Sequence, residues 1–193
     1  DFPDKHATSC SSIVLSKGRC VGIAPDSELI STKYNYTGLR SNLADSDIYS
    51  CSWGPAEWED NESDFWDISS DAKSIQEGII NGRGGKGIIY CFANGNERLS
   101  KDNSNFDGLI RHRYTIACAS LEQNDNDTSK ASMAWYSDYG SCILVCGYGS
   151  EGSTSDGAFT ADIMNSHSVS NLGYSDFSSY TETFGGSSSA TPM

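Results

Sequence analysis

The stretch GRGGKGIIYCFANGN, residues 82–96, decides how this chain is read. From Ile88 to Ala93 it is continuously apolar rather than alternating, the pattern of a strand buried on both faces of a parallel sheet. Asn94-Gly95-Asn96 is a turn signal at the strand's carboxyl end. YTIACAS (114–120) repeats the pattern, and CVGIA (20–24), SELIS (27–31), DIYSCSW (47–53) and SCILVC (141–146) read as further strands. In SSDAKSIQEGIING (69–82), Ala72, Ile75, Ile79 and Ile80 share one helical face. Ser70 or Asp71 is available as a cap there, and Gly82 as the stop. Residues 6–17 are expected to form another helix before Gly18. Alternating strands and helices predict an α/β fold with a mostly parallel sheet. Function in such sheets gathers beyond the carboxyl ends of the strands, here SWGPAEWED, NGNERLSKDNSNFDG and the terminal GGSSSATP. Residues 147–181 are Ser/Gly/Asp-rich and are expected to be surface loop or hairpin, and no internal repeat is present.

With 193 residues the chain can bury one sizeable core. Its formal net charge of -13 disfavours nucleic acid and anionic membranes and suits cationic ligands or calcium. The seven cysteines are an odd number, so at least one is unpaired within the chain. None forms a C-x-x-C pair, and Cys51, Cys91 and Cys118 lie in apolar runs as small core residues. Sequons at Asn35, Asn61 and Asn126 suit a secreted protein. The chain opens on Asp1-Phe2-Pro3 and ends in what reads as the first turn of a helix. Both ends look cut, and residues 1–193 are expected to be a fragment of a longer protein.

Three short segments carry chemistry. His6, one of three histidines, stands just before a helical pattern, so its imidazole projects from a helix N-terminus. Asn96 lies at a strand's carboxyl end, where a side-chain amide can donate to a developing oxyanion; one such donor is worth about 3 kcal/mol in a transition state. Ser188 sits in a glycine-preceded helix start, because Pro192 is tolerated in a first turn, and this position suits a nucleophile. By composition alone GGSSSATP reads equally as a solvated linker.

The local strings, in this order, resemble the subtilase family of serine proteases, and within it the kexin/furin-like, proprotein convertase branch. HATSC (6–10) is similar to the branch's His-Gly-Thr-Arg-Cys, and IYSCSWGP (48–55) to its Ile-Tyr-Ser-Ala-Ser-Trp-Gly-Pro, which lines the substrate cleft. GRGGKGIIYCFANGN resembles the segment ending in the oxyanion asparagine. WYSD (135–138) resembles Tyr-Ser-Glu, and GGSSSATP (185–192) resembles Gly-Gly-Thr-Ser-Ala-Ala-Ala-Pro. The resemblance implies a subtilisin-like three-layer sandwich, truncated at both ends. It also implies a calcium-dependent serine endopeptidase that cleaves secretory precursors after basic residues. His6 would be the general base, Ser188 the nucleophile and Asn96 the oxyanion donor, with the Ser188 N–H beside it. Ser52, Trp53 and Gly54 would line the substrate cleft.

Acids at the family's distances after the asparagine are Asp102, a calcium ligand by resemblance, and Asp107, the floor of S1 that pairs with a P1 arginine or lysine. Asp138 replaces a glutamate calcium ligand, and Glu57, with Glu59 as the other choice, matches the remaining acid. The family's triad aspartate lies upstream of the histidine, and Asp1 and Asp4 are too close to His6 to serve, so it is expected before residue 1. The chain departs from the pattern at Ala7, where the family has glycine. It also departs at the short segments 11–19 and 30–47 and at the absent disulfide partners near Ser104 and Tyr180. A basic P1 preference is therefore implied, but strict dibasic specificity is not. The implied partners are protein or peptide substrates and no nucleic acid. The implied location is the secretory pathway or the exterior, with any membrane anchor outside these residues. The alternative reading is a catalytically inactive subtilase-like binding domain.

Overall fold

The computed structural model describes residues 4–32, 38–54, 64–123, 130–149, 157–162 and 179–193. Helix α1 (Lys5–Leu15) starts where the Asp4 carboxylate accepts from the His6 and Ala7 N–H groups, at 2.9 and 3.2 Å. That satisfies two of the orphan donors of a helix start. A central sheet follows. Strands β1 (Ile48–Cys51), β2 (Ile89–Ala93) and β3 (Thr115–Gln123) run parallel, with Tyr49 opposite Tyr90 and Tyr90 opposite Thr115. β3 also pairs in parallel with β5 (Ile143–Tyr148) and antiparallel with the short β4 (Ala131–Met133). Helix α2 (Asp64–Asn81) lies between β1 and β2 in the chain, as a parallel crossover requires. Outside this sheet, β6 (Ala158–Ala161) pairs antiparallel with β7 (Tyr180–Phe184), and α3 (Ser187–Ala190) follows directly. The architecture is the expected α/β one, with a mostly parallel central sheet flanked by helices.

The core lies on one face of β1 and β2. Tyr49, Cys51, Tyr90 and Phe92 point inward against Leu39, Ile75, Ile88, Leu109 and Ile110. Each side chain of this size contributes about 1.5–3 kcal/mol on full burial. The opposite face of these strands is open among the described residues, with Ile48 59% and Ile89 39% exposed. Burial on both faces, expected of both apolar runs, therefore holds in β3, where Ala117, Cys118, Ala119 and Ser120 are all buried, but not in β2. α2 begins earlier than its sequence signals suggest, so Ser70 and Asp71 lie within the helix rather than capping it. Its core face is Ile75, Gly78 and Ile79, with Ile80 60% exposed. At Gly78 the Tyr90 hydroxyl lies 1.9 Å from where a Cβ would stand, which is why the residue tolerates no side chain.

The runs at 20–24 and 27–31 are not strands. Gly22, Ile23 and Ala24 donate their N–H groups to the carbonyls of Ser16, Ile13 and Val14, so this run closes the C-terminal end of α1 instead of joining a sheet. Val21 and Leu29 stay exposed, at 74% and 59%. Of residues 147–181, expected to be surface loop or hairpin, 158–161 form β6 and pair antiparallel with β7, and 163–178 lie outside the described residues. All seven cysteines are free; Cys51 and Cys118 are buried as small core residues and Cys91 is half-buried. The three sequons lie outside the described residues.

Candidate active site

The carboxyl ends of β1 and β2 open on a cavity of about 250 Å3. Its lining brings together Ser52, Trp53, Gly54, Asn96, Asp102, Asp107, Asp138 and Ser188, which the sequence places far apart. Trp53 is held edge-on against Phe92, with ring centroids 5.5 Å apart. Glu57 lies outside the described residues, and so does His167.

The turn after β2 positions Asn96. Asn94, 1% exposed, donates from Nδ2 to the Asp138 carbonyl at 2.5 Å and accepts from Ser137 Oγ at 3.1 Å. Ser104 Oγ in turn donates to the Asn94 carbonyl at 3.0 Å. This buried network ties the strand end to the 137–138 turn. Asn94 thus supports the turn, while Asn96 is exposed and faces α3. The Ser187 N–H donates to Asn96 Oδ1 at 2.7 Å. Since only the oxygen can accept, this bond fixes the amide and leaves Nδ2 as its donor end, as an oxyanion donor requires.

Ser188 stands in the first turn of α3, where its own N–H is one of the helix's orphan donors. Its Oγ donates to the Ser52 carbonyl at 3.3 Å, and its carbonyl accepts from Ser52 Oγ at 2.9 Å. His6, half-buried, packs edge-on against Phe184 with ring centroids 5.5 Å apart. Its Nδ1 lies 3.8 Å from Cys10 Sγ, and that thiol is 3.6 Å from the Ser188 carbonyl. His6 and Ser188 thus share one neighbourhood, although among the described residues Ser188 Oγ bonds to Ser52 rather than to the imidazole. A carboxylate on Nδ1 is what turns such a ring toward its serine. Asp4 Oδ1 is committed to the helix start, and the group beside Nδ1 is the Cys10 thiol. Burial lowers the His6 pKa below the usual histidine value, with the Asp4 charge opposing. Ala7 is exposed.

Asp107 is 9% exposed. Its Oδ1 accepts from the Leu109 and Ile110 N–H groups at 2.7 and 2.9 Å, while Oδ2 lies 3.9 Å from where a Cβ on Gly54 would stand. Burial raises its pKa; the two N–H donors and Arg111 oppose that, and Asp102 adds to it.

Asp102 and Asp138 meet a third carboxylate that the sequence reading missed. The carboxylates of Glu97, Asp102 and Asp138 offer oxygens within 4.8 Å of one another. That is the span of two ligands on opposite sides of one ion at about 2.4 Å each, and an all-oxygen set suits calcium. Asp138 is 2% exposed. Gly95, at φ +101°, leaves room for the cluster: a Cβ there would stand 1.9 Å from Asp138 Oδ2 and 3.2 Å from Glu97 Oε2. The residues therefore fit a calcium ion. Glu97 was legible in one respect, as the acid directly after Asn96 at a strand's carboxyl end.

The profile of the subtilase family matches residues 1–193. This chain belongs to the subtilase family. It is 31% identical over 213 residues to a calcium-dependent protease of Trichormus variabilis, covering 98% of this chain and 31% of that protein. To a dibasic-processing endoprotease of Yarrowia lipolytica it is 31% identical over 159 residues, covering 76% of this chain and 16% of the relative. Kexin and furin-like proteases are also among the relatives of this subtilase. A crystal structure of a serine protease of Aeromonas sobria superposes with a TM-score of 0.72 at 20% identity, covering 99% of this chain and 39% of that one, which shows the fold. The chain spans about a third or less of the length of these curated relatives. Among the described residues no helix is long and apolar enough to cross a membrane.

Proposed function

We propose that this subtilase chain carries the base, nucleophile and oxyanion donor of a serine endopeptidase that cleaves after basic residues. One observation supports this most. In the cavity that holds Ser188 and Asn96, the buried Asp107 has one oxygen saturated by backbone N–H groups and the other near Gly54. A buried carboxylate is costly unless a cation pairs with it, and a substrate arginine or lysine supplies that cation. The relative named as a dibasic-processing endoprotease supports the same preference.

Catalysis then runs through named atoms. Ser188 Oγ turns from the Ser52 carbonyl and attacks the scissile carbonyl carbon as its proton passes to His6. Asn96 Nδ2 and the Ser188 N–H hold the oxyanion. His6 returns the proton to the leaving amine, and water attacking with His6 as base frees the acyl group. Glu97, Asp102 and Asp138 would hold calcium, whose charge keeps these acids ionised side by side. The site works on protein or peptide substrates, in the secretory pathway or outside the cell.

In the full-length protein, Ser188→Ala should abolish labelling by a fluorophosphonate, while Ser187→Ala and Ser189→Ala keep it. Labelling that persists in Ser188→Ala removes the proposed nucleophile. An unlabelled natural protein leaves the inactive binding domain as the reading. Asp107→Asn should lower turnover of Arg-P1 peptides at least tenfold, since breaking a buried charge pair costs about 2–5 kcal/mol. Leu-P1 peptides should be nearly unaffected. Equal loss on both would make Asp107 a structural acid.

A further inference from the structure

Glu97 belongs to two constructions at once. Its carboxylate converges with Asp102 and Asp138, and its Oε2 also accepts the Asn96 N–H at 2.5 Å. Its own N–H donates to Asp138 Oδ1 at 2.8 Å, and the Asp138 N–H reaches the Gly95 carbonyl at 3.4 Å. The strap Gly95-Asn96-Glu97 is therefore bonded to the acid cluster at each of its three residues. Its middle residue carries the amide that Ser187 orients.

Three carboxylates this close repel one another unless a cation lies among them. Repulsion would push Glu97, the one of the three on the strap itself, outward and take the Asn96 N–H with it. We propose that Glu97 is a ligand of the cation held by Asp102 and Asp138, and that its bond to the Asn96 N–H makes cation binding set the position of the oxyanion amide. The inference rests on the calcium reading above and deepens it. Glu97 acts as a positioning residue, through Asn96, and touches no substrate.

The test uses the full-length protein and terbium or calcium as the probe. Trp53, in the same cavity, serves as the luminescence donor for terbium. Glu97→Gln and Asp102→Asn should each weaken binding about tenfold or more, since charge count tunes such sites. Glu182→Gln, an exposed acid on β7, should leave it within about twofold. Wild-type affinity in Glu97→Gln with weakened binding in Asp102→Asn would overturn the ligand role alone. No binding by the natural protein would overturn the calcium reading and the inference with it. At saturating calcium, Glu97→Gln should still show kcat about tenfold down with KM unchanged, because a neutral acceptor holds the Asn96 N–H less strongly than a charged one. Full recovery of kcat in saturating calcium would overturn the link to Asn96.

Discussion

The two sides of the site are held in different ways. On the sheet side, Asn96, Asp107 and the acid cluster sit on turns whose backbone groups are tied to one another and to α3. On the helix side, α1 is fastened to β6. Ser9 Oγ donates to the Ala161 carbonyl at 2.9 Å, Thr160 Oγ1 to the Ser9 carbonyl at 2.8 Å, and the Ala161 N–H to Ser12 Oγ at 3.0 Å. The helix is thus well seated, yet the His6 ring faces a thiol rather than a carboxylate. The proposed donors and acids are preorganised by contacts within the chain, whereas the proposed base, His6, is placed but not oriented.

The largest effect expected comes from breaking the sheet side at Gly95. Gly95→Ala meets an unfavourable φ and drives a methyl into the Asp138 carboxylate, at a cost of about 3 kcal/mol or more. Gly84→Ala is the matched control. It shares a positive φ, +64°, but nothing lies within 4 Å of its Cβ position, so it carries only the backbone part. Thermal unfolding and terbium binding measured on both separate the terms. Equal losses of stability with calcium affinity intact would show that the acids do not converge over Gly95.

The same contrast explains what the sequence made legible. Asn96 and Ser188 could be singled out from their turns, and Asp102, Asp107 and Asp138 from the resemblance of the surrounding strings to one family; the fold brings these residues to one cavity. Glu97 was missed because its place directly after Asn96 does not by itself distinguish a converging acid from a solvated one. The apolar runs at 20–24 and 27–31 were misread for a related reason. A strand exists only with a partner, and the N–H groups of 22–24 are taken by the end of α1. Likewise, no periodicity could show that Asp4 is spent on the helix start.

A middle-sized effect tests the helix side. Asp4→Ala removes the acceptor for the His6 and Ala7 N–H groups and should cost about 1 kcal/mol. Asp4→Asn, which keeps an acceptor, should restore most of that in thermal unfolding. Calcium affinity should not change in either, because the cluster hangs on the other side. A loss of terbium binding in Asp4→Ala would mean that the two sides are coupled more tightly than their hydrogen bonds indicate.

The smallest effect is a titration, and it sharpens the comparison most. Burial lowers the His6 pKa and the Asp4 charge partly restores it, so in this chain the ring should titrate below 6.5. Asp4→Asn should lower the midpoint further. A depressed histidine pKa means that the unfolded chain binds more protons than the folded one between the folded value and 6.5. Stability should therefore fall as pH drops through that window and level off below it. His112 behaves alike, lowered by burial and then by Arg113, so a His6→Gln variant should retain part of the slope. Asp107 acts in the opposite sense: its raised pKa favours the folded chain at low pH, and that contribution fades as pH rises through the folded value. Asp107→Asn keeps an acceptor for the two N–H groups, so it should unfold at an equal or higher temperature at neutral pH while losing Arg-P1 turnover. NMR of the His6 ring decides the rest. A midpoint above 6.5 in the full-length protein would mean that a carboxylate reaches Nδ1, and the base would then be oriented as firmly as the donors.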